Sequence, residues 1–323
     1  MTSKRDRSEG IVVSGTGGTW TVRTTDGESV DVSLRGRLKQ TRGDGKPQPL
    51  KLAVGDRVAI EDDVRGGARA IAEIFPRTSQ LARREPGKRH GERIVVANID
   101  QVVIVFAAAN PEPHLRMLDR FLVIAEGNDL RARIVINKVE LTGEDSDRAR
   151  FADYAIAGYP VHFTSVKQRI GLAELHDALV GQTSALSGPS GVGKSSLLNA
   201  LYPGANLRVG EISHSVNKGR HTTVGAVLHP LPDGGFVADT PGLREVGMWG
   251  LPSKHLDQCF PEFQPYLGEC RFGDCSHDHE PGCAVRDAVD QGIVSAVRYD
   301  SYRKLREELE ITERQWMTQG RSS

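Results

Sequence analysis

The chain has 323 residues, 38% hydrophobic and 26% charged, which is typical of a soluble globular protein of two or three domains. The formal net charge of zero excludes a protein that is basic overall, yet residues 1–98 carry 19 Lys and Arg against 13 Asp and Glu. That surplus indicates a polyanion contact near the N-terminus, or an uneven charge distribution without function. The polar first ten residues and the short apolar run 102–109 predict a cytoplasmic protein without a membrane segment, since spanning a bilayer takes ~20 apolar residues. Its four cysteines then bind metal or stay free rather than form disulfides.

The sequence of the N-terminal part predicts short strands that are separated by turns containing Gly and Asp. The strand-like stretches lie within residues 10–39, 52–62 and 68–75, a pattern typical of a small β-barrel or sandwich. We assign residues 1–80 to this domain. The following residues, 76–93, are rich in Pro, Gly, Arg and Lys, and we assign the linker itself to residues 81–93.

From Ile94 onward, strands alternate with helices, which predicts a parallel sheet with crossover helices. The predicted strands cover 99–108, 132–138, 160–165 and 183–188, and the predicted helices cover 118–127, 148–159, 171–180 and 194–202. A hairpin turning at Asp233-Gly234-Gly235 follows. We assign this domain to residues 94–247. Residues 248–323 form a last domain of cysteine-bearing loops and a charged helix, in which we expect i,i+3 and i,i+4 pairs among Arg303, Lys304, Arg306, Glu307 and Glu308.

A phosphate-binding loop lies between a predicted strand and a predicted helix. Its Gly188-x4-Gly193-Lys194-Ser195 spacing places glycines where backbone N–H groups wrap phosphates at a helix N-terminus. Lys194 would contact the β- and γ-phosphates, and Ser195 would ligate Mg²⁺. The loop residues that we assign to the nucleotide are Gly188, Pro189, Ser190, Gly191, Val192, Gly193, Lys194, Ser195 and Ser196.

Three further segments fit the roles that complete a GTP site. Asn137-Lys138-Val139-Glu140 ends a strand and is typical of the motif that recognises guanine, although Glu140 stands where Asp is usual. The longer Glu140 side chain still offers two oxygens to the guanine N1 and N2 groups. Thr164-Ser165 ends the next strand, where GTP-binding proteins back the base. Asp239-Thr240-Pro241-Gly242 would direct a carboxylate to Mg²⁺ and the Gly242 amide to the γ-phosphate.

These motifs occur in a rotated order along the chain. The guanine motif at 137 and the base-backing residues at 164 precede the phosphate loop at 188 and Asp239. In a usual GTPase the phosphate loop comes first. Because strand order in space fixes motif positions in a parallel sheet, a different cut of the chain leaves the site intact. The sequence therefore predicts a circularly permuted GTPase.

The groups that activate water are less well defined by the sequence. Leu243 follows Asp-x-x-Gly, where other GTPases place the glutamine that orients the attacking water. This substitution predicts slow hydrolysis that a partner stimulates. Thr222 and Thr223 are candidates for the switch threonine, with Thr223 assigned to Mg²⁺. His221 either positions the water, since its pKa lies near neutrality, or is a solvated loop residue.

A metal site is predicted near the C-terminus. Cys270-x4-Cys275-x-His277-x5-Cys283 supplies three thiolates and one imidazole, the closed tetrahedral set of a structural zinc site. His279 is an alternative to His277, and Cys259 lies outside the cluster as a buried free thiol. Zinc binding at such a site would stabilise the fold of a segment that is too short to bury much of a hydrophobic core.

The sequence resembles the family of small-ribosomal-subunit-dependent GTPases known as RsgA or YjeQ. The resemblance covers residues 10 to 305 and rests on LRGRLK, VGDRVAIE, ANIDQVVIV, NKVEL, SGPSGVGKSSLLNAL, GRHTT, DTPGLRE and the cysteine cluster, all in family order. It implies an OB-fold barrel, a permuted G domain and a zinc domain. It also implies GTP hydrolysis stimulated by the small subunit during late ribosome maturation, with GTP, Mg²⁺ and one structural Zn²⁺ per chain. We expect a monomer.

The predicted contact with rRNA lies on the barrel. Aromatic residues are scarce there, so phosphate contacts are favoured over base stacking, through Arg35, Arg37, Lys39, Arg42 and Lys46. The alternatives are a GTP-dependent metallochaperone or another RNA-associated permuted GTPase. The closed four-ligand metal site argues against the metallochaperone, which would need an exchangeable ligand set. Intact Lys194, Ser195 and Asp239 argue against a non-enzymatic RNA-binding module with a degenerate nucleotide pocket.

Overall fold

A computed structural model describes residues 7–16, 18–34, 39–41, 47–49, 52–62, 69–84, 92–203, 226–239 and 251–319. The chain forms two compact units. The first consists of Met1–Gln101, His176–Leu186 and Leu198–Leu243, and the second of Val102–Leu175, Ser187–Leu197 and Arg244–Ser323. Within the residues that the structure describes, no helix combines the length and the apolar character needed to cross a membrane.

The first unit begins with a closed five-stranded barrel, which confirms the predicted β-barrel. Its strands are β1 (Arg7–Thr16), β2 (Thr19–Thr24), β3 (Ser29–Leu34), β6 (Arg57–Asp62) and β7 (Arg69–Ile74), in the order β1-β2-β3-β7-β6. A short hairpin of β4 (Lys39–Thr41) and β5 (Pro47–Pro49) comes between β3 and β6. Alternate strand residues point inward, as a strand's period of two requires. The resulting core includes Val12, Val22, Val32, Val58, Ile60 and Ile71.

The segment after the barrel contains regular structure. Strands β8 (Gln80–Arg84) and β9 (Glu92–Ala97) pair antiparallel. The predicted linker, 81–93, therefore includes most of β8 and the first residues of β9. Its Pro, Gly and basic residues suggested an irregular segment because they occur mainly between the two strands. The division into domains at 1–80, 81–93, 94–247 and 248–323 stays a prediction.

A six-stranded sheet follows, with the order β12-β11-β10-β13-β15-β14. All seven residues of β10 are buried, as expected for a strand that is covered on both faces. β11 pairs parallel with β12 and β13 pairs parallel with β15, whereas β14 and β15 form the predicted hairpin. The strand bounds are β10 (Gln101–Ala107), β11 (Arg131–Asn137), β12 (Val161–Thr164), β13 (Thr183–Ser187), β14 (Val227–Pro230) and β15 (Phe236–Asp239).

The helices agree with the sequence except in two places, of which one is a short helix, Ala284–Asp290, directly after Cys283, where only loops were predicted. The single helix predicted over 148–159 is two short ones, broken at Phe151, whose φ of −106° and ψ of 12° are not helical and whose side chain is 1% exposed. Burial of this ring in the core outweighs continuation of the helix. The bounds are α1 (Leu115–Glu126), α2 (Glu144–Arg150), α3 (Ala152–Ile156), α4 (Leu172–Leu179), α5 (Lys194–Leu201), α6 (Ala284–Asp290) and α7 (Ala296–Gln319).

In the second unit, a buried arginine holds α7 against α1. Arg298 is 1% exposed and its guanidinium lies 2.6 Å from Asp119 Oδ1 and 2.7 Å from Glu262 Oε1. Burial alone would lower its pKa, but the hydrogen bond to Glu262 and the charges of both carboxylates raise it. The ion pairs and the packing of this guanidinium over the Phe260 ring at 4.7 Å join the C-terminal helix to the rest of the unit.

The charges of α7 follow the prediction only in part. Lys304 pairs with Asp300 and Arg306 with Glu310, four residues apart in each case. Arg303 instead bonds Asp278, and Glu308 instead pairs with Arg120 on α1. These two side chains reach past their own helix because neighbouring segments offer opposite charges. Helical periodicity indicates only partners within the same helix, so it could not predict these two pairs.

Candidate functional site: a guanine-nucleotide site and a metal site

The phosphate loop connects β13 to α5 and depends on glycine at fixed positions. Gly188 has φ of +131°, and a Cβ built on it would lie 2.0 Å from the carbonyl oxygen of Val105. Gly193 has φ of +96°, and its Cβ would lie 2.5 Å from Asn137 Nδ2. Both positions combine a left-handed backbone with a close approach that a side chain would prevent. The loop can therefore pass directly over β10 and the end of β11.

The lysine of this loop points back over it. Lys194 Nζ donates hydrogen bonds to the carbonyl oxygens of Gly188 at 2.8 Å and Pro189 at 2.6 Å. This geometry holds the ammonium group above the backbone that would surround a phosphate. Ser195 is half-buried behind it, whereas Ser190 and Ser196 are exposed. The N–H groups of the first turn of α5 point toward the same loop.

The guanine motif contacts the phosphate loop directly. Asn137, the last residue of β11, is 2% exposed and donates from Nδ2 to the carbonyl oxygen of Val192 at 3.0 Å. Its Oδ1 accepts a hydrogen bond from Thr164 Oγ1 at 3.2 Å. One buried amide thus joins the guanine motif, the base-backing segment and the phosphate loop, which lie far apart along the chain.

Lys138 strengthens this junction. It has a left-handed φ of 65°, and its Nζ donates to the Gly191 carbonyl oxygen at 2.7 Å and also to the Asn110 carbonyl oxygen. Lys138 therefore joins the guanine motif to the phosphate loop at a second point. The rotated motif order does not separate the two parts of the site.

Glu140 supplies an acceptor that is suited to a base. It lies in a short 3-10 helix, Val139–Leu141, with Val139 buried beneath it. Among the described residues, none donates a hydrogen bond to the buried atom Glu140 Oε2. A buried carboxylate oxygen without a donor carries a free-energy cost that the N1 and N2 groups of guanine would remove. This observation fits a guanine nucleotide.

The base-backing segment is a tight loop after β12. Thr164 and Ser165 are fully buried, and Ser165 Oγ accepts a hydrogen bond from the backbone N–H of Gln168 at 3.0 Å. Ser165 and Ile170 exchange backbone hydrogen bonds of 3.1 and 3.0 Å, which close the loop. Thr164 thus ends β12 next to Asn137 at the end of β11, and the base-backing role of Thr164 and Ser165 stays a prediction.

The remaining nucleotide residues are described in part or not at all. Asp239 is the last residue of β15, and its backbone pairs with Leu186 of β13. The other predicted residues, His221, Thr222, Thr223 and Gly242, lie outside the described residues, as do Arg35, Arg37, Arg42 and Lys46 of the barrel. Lys39 is the first residue of β4.

The predicted metal ligands come together in the second unit. The ligand atoms of Cys270, Cys275, His277 and Cys283 all lie within 4.8 Å of one another. Cys270 Sγ is 3.9 Å from Cys283 Sγ, close to the separation of about 3.8 Å that tetrahedral coordination at Zn–S ≈ 2.3 Å requires. His277 Nδ1 is 3.5 Å from Cys270 Sγ and 3.4 Å from Cys283 Sγ. The donor set and its spacing fit zinc.

The imidazole of the cluster is that of His277 rather than the alternative His279. His277 is buried, and its other nitrogen, Nε2, lies 3.4 Å from Asp257 Oδ2. A carboxylate in this place orients a metal-binding histidine and fixes its tautomer. The His279 side chain is 82% exposed. Asp257 was not predicted from the sequence, because it stands 20 residues before His277 and no local pattern marks it.

Hydrogen bonds from outside the ligand set support the metal loop. Tyr299 and Tyr302 on α7 donate their hydroxyls to the carbonyl oxygens of His277 at 2.7 Å and Ser276 at 2.8 Å. Glu280 accepts from the Ser276 backbone N–H at 2.8 Å and from that residue's hydroxyl at 2.5 Å. Burial opposes ionisation of Glu280, but these hydrogen bonds together lower its pKa well below the usual range. The loop is thus held partly by its own carboxylate.

Comparisons with known proteins identify the family of this chain. The model of the RsgA GTPase family matches residues 74–249. A relative from Gemmatimonas aurantiaca, described as a small ribosomal subunit biogenesis GTPase RsgA, is 62% identical over 301 residues, covering 93% of this chain and 97% of that relative. The chain belongs to the RsgA GTPase family. It is therefore a GTPase, an enzyme that hydrolyses GTP.

Two solved structures of related proteins have the same fold as this chain. YjeQ from Thermotoga maritima matches with a TM-score of 0.76 and 37% identity, covering 94% of this chain and 98% of that one. YloQ, described as a circularly permuted GTPase, matches with a TM-score of 0.72 and 27% identity, covering 97% and 98%. The permutation inferred from motif order is thereby confirmed, together with the barrel, the GTPase fold and the C-terminal cysteine–histidine cluster.

Proposed function

We propose that this chain binds the small ribosomal subunit and hydrolyses GTP in a subunit-stimulated way during late ribosome maturation, as a monomer in the cytoplasm. The observation that carries the proposal is the buried junction of Asn137, Thr164 and Val192, since it unites guanine recognition and phosphate binding in one site. The relatives named as small ribosomal subunit biogenesis GTPases supply the partner.

Each residue of the site has a proposed role. Lys194 would neutralise the β- and γ-phosphates, and the loop N–H groups would hold the remaining oxygens. Ser195, Thr223 and Asp239 would hold Mg²⁺, which supplies charge neutralisation at the phosphates. Glu140 would accept from guanine, and the Gly242 amide would bond the γ-phosphate. Thr222 is the alternative switch threonine, and His221 would position the attacking water in place of the glutamine that Leu243 replaces.

The other two regions would serve the partner. The barrel, through Arg35, Arg37, Lys39, Arg42 and Lys46, would contact rRNA phosphates, which gives salt-dependent affinity. One Zn²⁺, held by Cys270, Cys275, His277 and Cys283, would stabilise the C-terminal segment without taking part in hydrolysis. These four residues would fill all four positions of a tetrahedral ion and would leave none for water.

The test is GTP turnover with and without purified small ribosomal subunits. Subunits should raise the rate at least tenfold, and Lys194→Ala should abolish the stimulated rate. An excess of ATP should leave turnover unchanged if Glu140 selects guanine. Turnover that does not respond to subunits would contradict the proposed partner and leave the GTPase assignment standing.

One alternative follows from the metal site. A GTP-dependent metallochaperone would release zinc during turnover. Bound zinc that resists a mild chelator while GTP is hydrolysed would exclude this role, and loss of zinc in proportion to GTP consumed would support it.

A further inference from the structure

Residues 97–101 run from the last residue of β9 to the first residue of β10. They form hydrogen bonds with several segments of the first unit. The Ala97 N–H donates to the Val54 carbonyl oxygen at 2.8 Å, in the loop before β6. Gly55, next in that loop, has φ of +92° and approaches so closely that a Cβ on it would lie 2.0 Å from the Ala97 carbonyl oxygen. The Gly55 N–H bonds the Val12 carbonyl oxygen of β1 at 2.8 Å. The barrel is therefore fixed to β9 backbone to backbone.

Asn98 adds a side chain to this junction. Its φ of 52° is left-handed, a conformation that Asn tolerates better than most residues. Nδ2 donates to the Gly55 carbonyl oxygen at 2.9 Å, and Oδ1 accepts from the Thr78 N–H at 2.9 Å. One amide thus joins the barrel loop, the segment between β7 and β8, and β9.

A buried ion pair holds the segment between β7 and β8 in place. Asp56 is 0% exposed and its carboxylate accepts from Arg77 Nε at 2.6 Å and from Arg77 Nη2 at 2.8 Å. The same carboxylate accepts from the Ala53 N–H at 2.8 Å. Removal of either partner from such a pair is costly, because the other charge is left buried.

Asp100 and Gln101 continue the contacts into the sheet. The Asp100 N–H donates to the Thr183 carbonyl oxygen at 2.8 Å, and Asp100 Oδ2 accepts from the Thr183 N–H at 2.7 Å. Gln101 Nε2 donates to Ser184 Oγ at 3.1 Å and to the carbonyl oxygen of Ala178, in α4, at 2.8 Å. Thr183 is the first residue of β13, the strand that ends one residue before Gly188 of the phosphate loop.

We propose that Asn98 and Asp100 are positioning residues for partner-stimulated GTP hydrolysis. They fix the barrel to the strand that carries the phosphate loop, so that a partner held by the barrel stands in one defined geometry relative to that strand. The inference rests on the proposed function, in which the barrel binds the small ribosomal subunit. Its physical basis is that a displacement of about 1 Å between reacting groups and their activator can cost roughly 10²-fold in rate.

The test compares basal and stimulated turnover in the full-length, zinc-loaded protein. Asn98→Gly keeps the left-handed backbone and removes both side-chain hydrogen bonds. We expect its basal rate, its GTP affinity and the subunit concentration for half-maximal stimulation to stay within about twofold of wild type, while the stimulated kcat falls about tenfold. Asn98→Asp keeps the acceptor for Thr78 and loses the donor to Gly55, so its stimulated kcat should be intermediate.

Asp129→Gly provides the matched control. Asp129 also has a left-handed φ, 55°, but it follows α1 and takes no part in the junction. It should behave as wild type in both assays. The Asp100→Ala variant, which breaks the side-chain bond to Thr183 at the other end of the junction, should repeat the loss seen with Asn98→Gly.

The outcomes separate the two proposals. A wild-type enzyme that subunits fail to stimulate would overturn the proposed function and this inference with it. A stimulated wild type with equally stimulated Asn98→Gly and Asp100→Ala variants would overturn the inference alone. Equal losses of basal and stimulated rates would show that Asn98 is merely structural, and weaker subunit binding at unchanged kcat would place it in the binding surface. Either result would contradict a positioning role.

Discussion

The phosphate loop and the guanine motif lie in the same compact unit as the metal ligands, but different forces hold the two places together. The phosphate loop and the guanine motif rest on strands whose side chains are nearly all buried, and Asn137 meets Val192 over that core. The metal ligands lie on a loop of which residues 271–274 are exposed. The first site is therefore formed by packing of the sheet, whereas the second depends on the ion for its shape.

The free energies that stabilise the two sites differ accordingly. Each large apolar side chain buried in the sheet contributes about 1.5–3 kcal/mol. Hydrogen bonds such as those of Tyr299 and Tyr302 to the metal loop contribute about 1 kcal/mol each. A structural zinc ion supplies apparent binding free energies of about 10–16 kcal/mol, far more than the loop's own contacts. The metal site should thus be all-or-none, and the nucleotide site should tolerate its loss.

Removal of zinc is the strongest test of whether the nucleotide site is independent of the metal site. We expect Cys283→Ser to lose the bound metal and the hydrogen-exchange protection of residues 257–283, while GTP affinity changes by less than about threefold. Metal analysis, hydrogen exchange and nucleotide titration measure the three quantities. Cys259→Ser is the control, because burial and nearby carboxylates raise the pKa of this thiol to about 12 and it lies outside the cluster. Loss of GTP binding together with zinc would contradict the independence of the two sites.

A single methyl group should disable the nucleotide site. Gly188→Ala places a Cβ against the Val105 carbonyl oxygen in a left-handed conformation, so we expect GTP affinity to fall about 100-fold, or about 2.7 kcal/mol. Gly158→Ala separates backbone strain from the clash, since Gly158 has φ of +97° with no atom within 4 Å of the added Cβ. That control should bind GTP normally. Equal losses in both variants would indicate general destabilisation.

A smaller effect should follow from the carboxylate inside the metal loop. Glu280→Gln keeps the shape but weakens acceptance from Ser276, so we expect the metal-loaded C-terminal segment to lose about 1.5 kcal/mol, the typical contribution of a hydrogen bond to a charged group. The zinc content should stay at one ion per chain. Denaturant unfolding followed by Trp fluorescence measures the change. Glu269→Gln, at an exposed residue of the same segment, should leave stability unaltered.

The smallest predicted effect concerns the base. Glu140→Asp should change GTP affinity by less than about threefold, because both side chains offer two oxygens and the 3-10 helix can shift the shorter one toward the base. Glu140→Ala should remove the preference for GDP over ADP in a competition assay. If Glu140→Ala kept that preference, another group would recognise guanine.

The features that could be predicted from the sequence are those whose residues lie close together along the chain. The phosphate loop needs glycines and a lysine within eight residues, and the metal site needs four ligands within fourteen, so chemistry and spacing lie together in the chain. The permuted order was predictable because each motif ends its own strand. The strands of the barrel followed from alternation and turn residues.

The parts that escaped prediction depend on distant partners. Asp257 supports His277 across 20 residues, Glu308 pairs with Arg120, and Phe151 interrupts a helix for the sake of the core. None of these has a local pattern, because only the folded chain brings the partners together. The hairpin of β8 and β9 escaped for a related reason: the composition between two strands concealed the strands.

The bond between Asn137 and Val192 also has a consequence for synthesis of the chain. The two residues are 55 positions apart, and the guanine motif comes first. At about 5–20 residues per second, Asn137 is added to the growing chain about 3–11 s before Val192 is added. A conventional motif order would deliver the phosphate loop first and let nucleotide assist the folding of the later strands. In this protein the phosphate loop is made after β12, so any folding of the strands up to β12 that precedes the emergence of Lys194 proceeds without GTP.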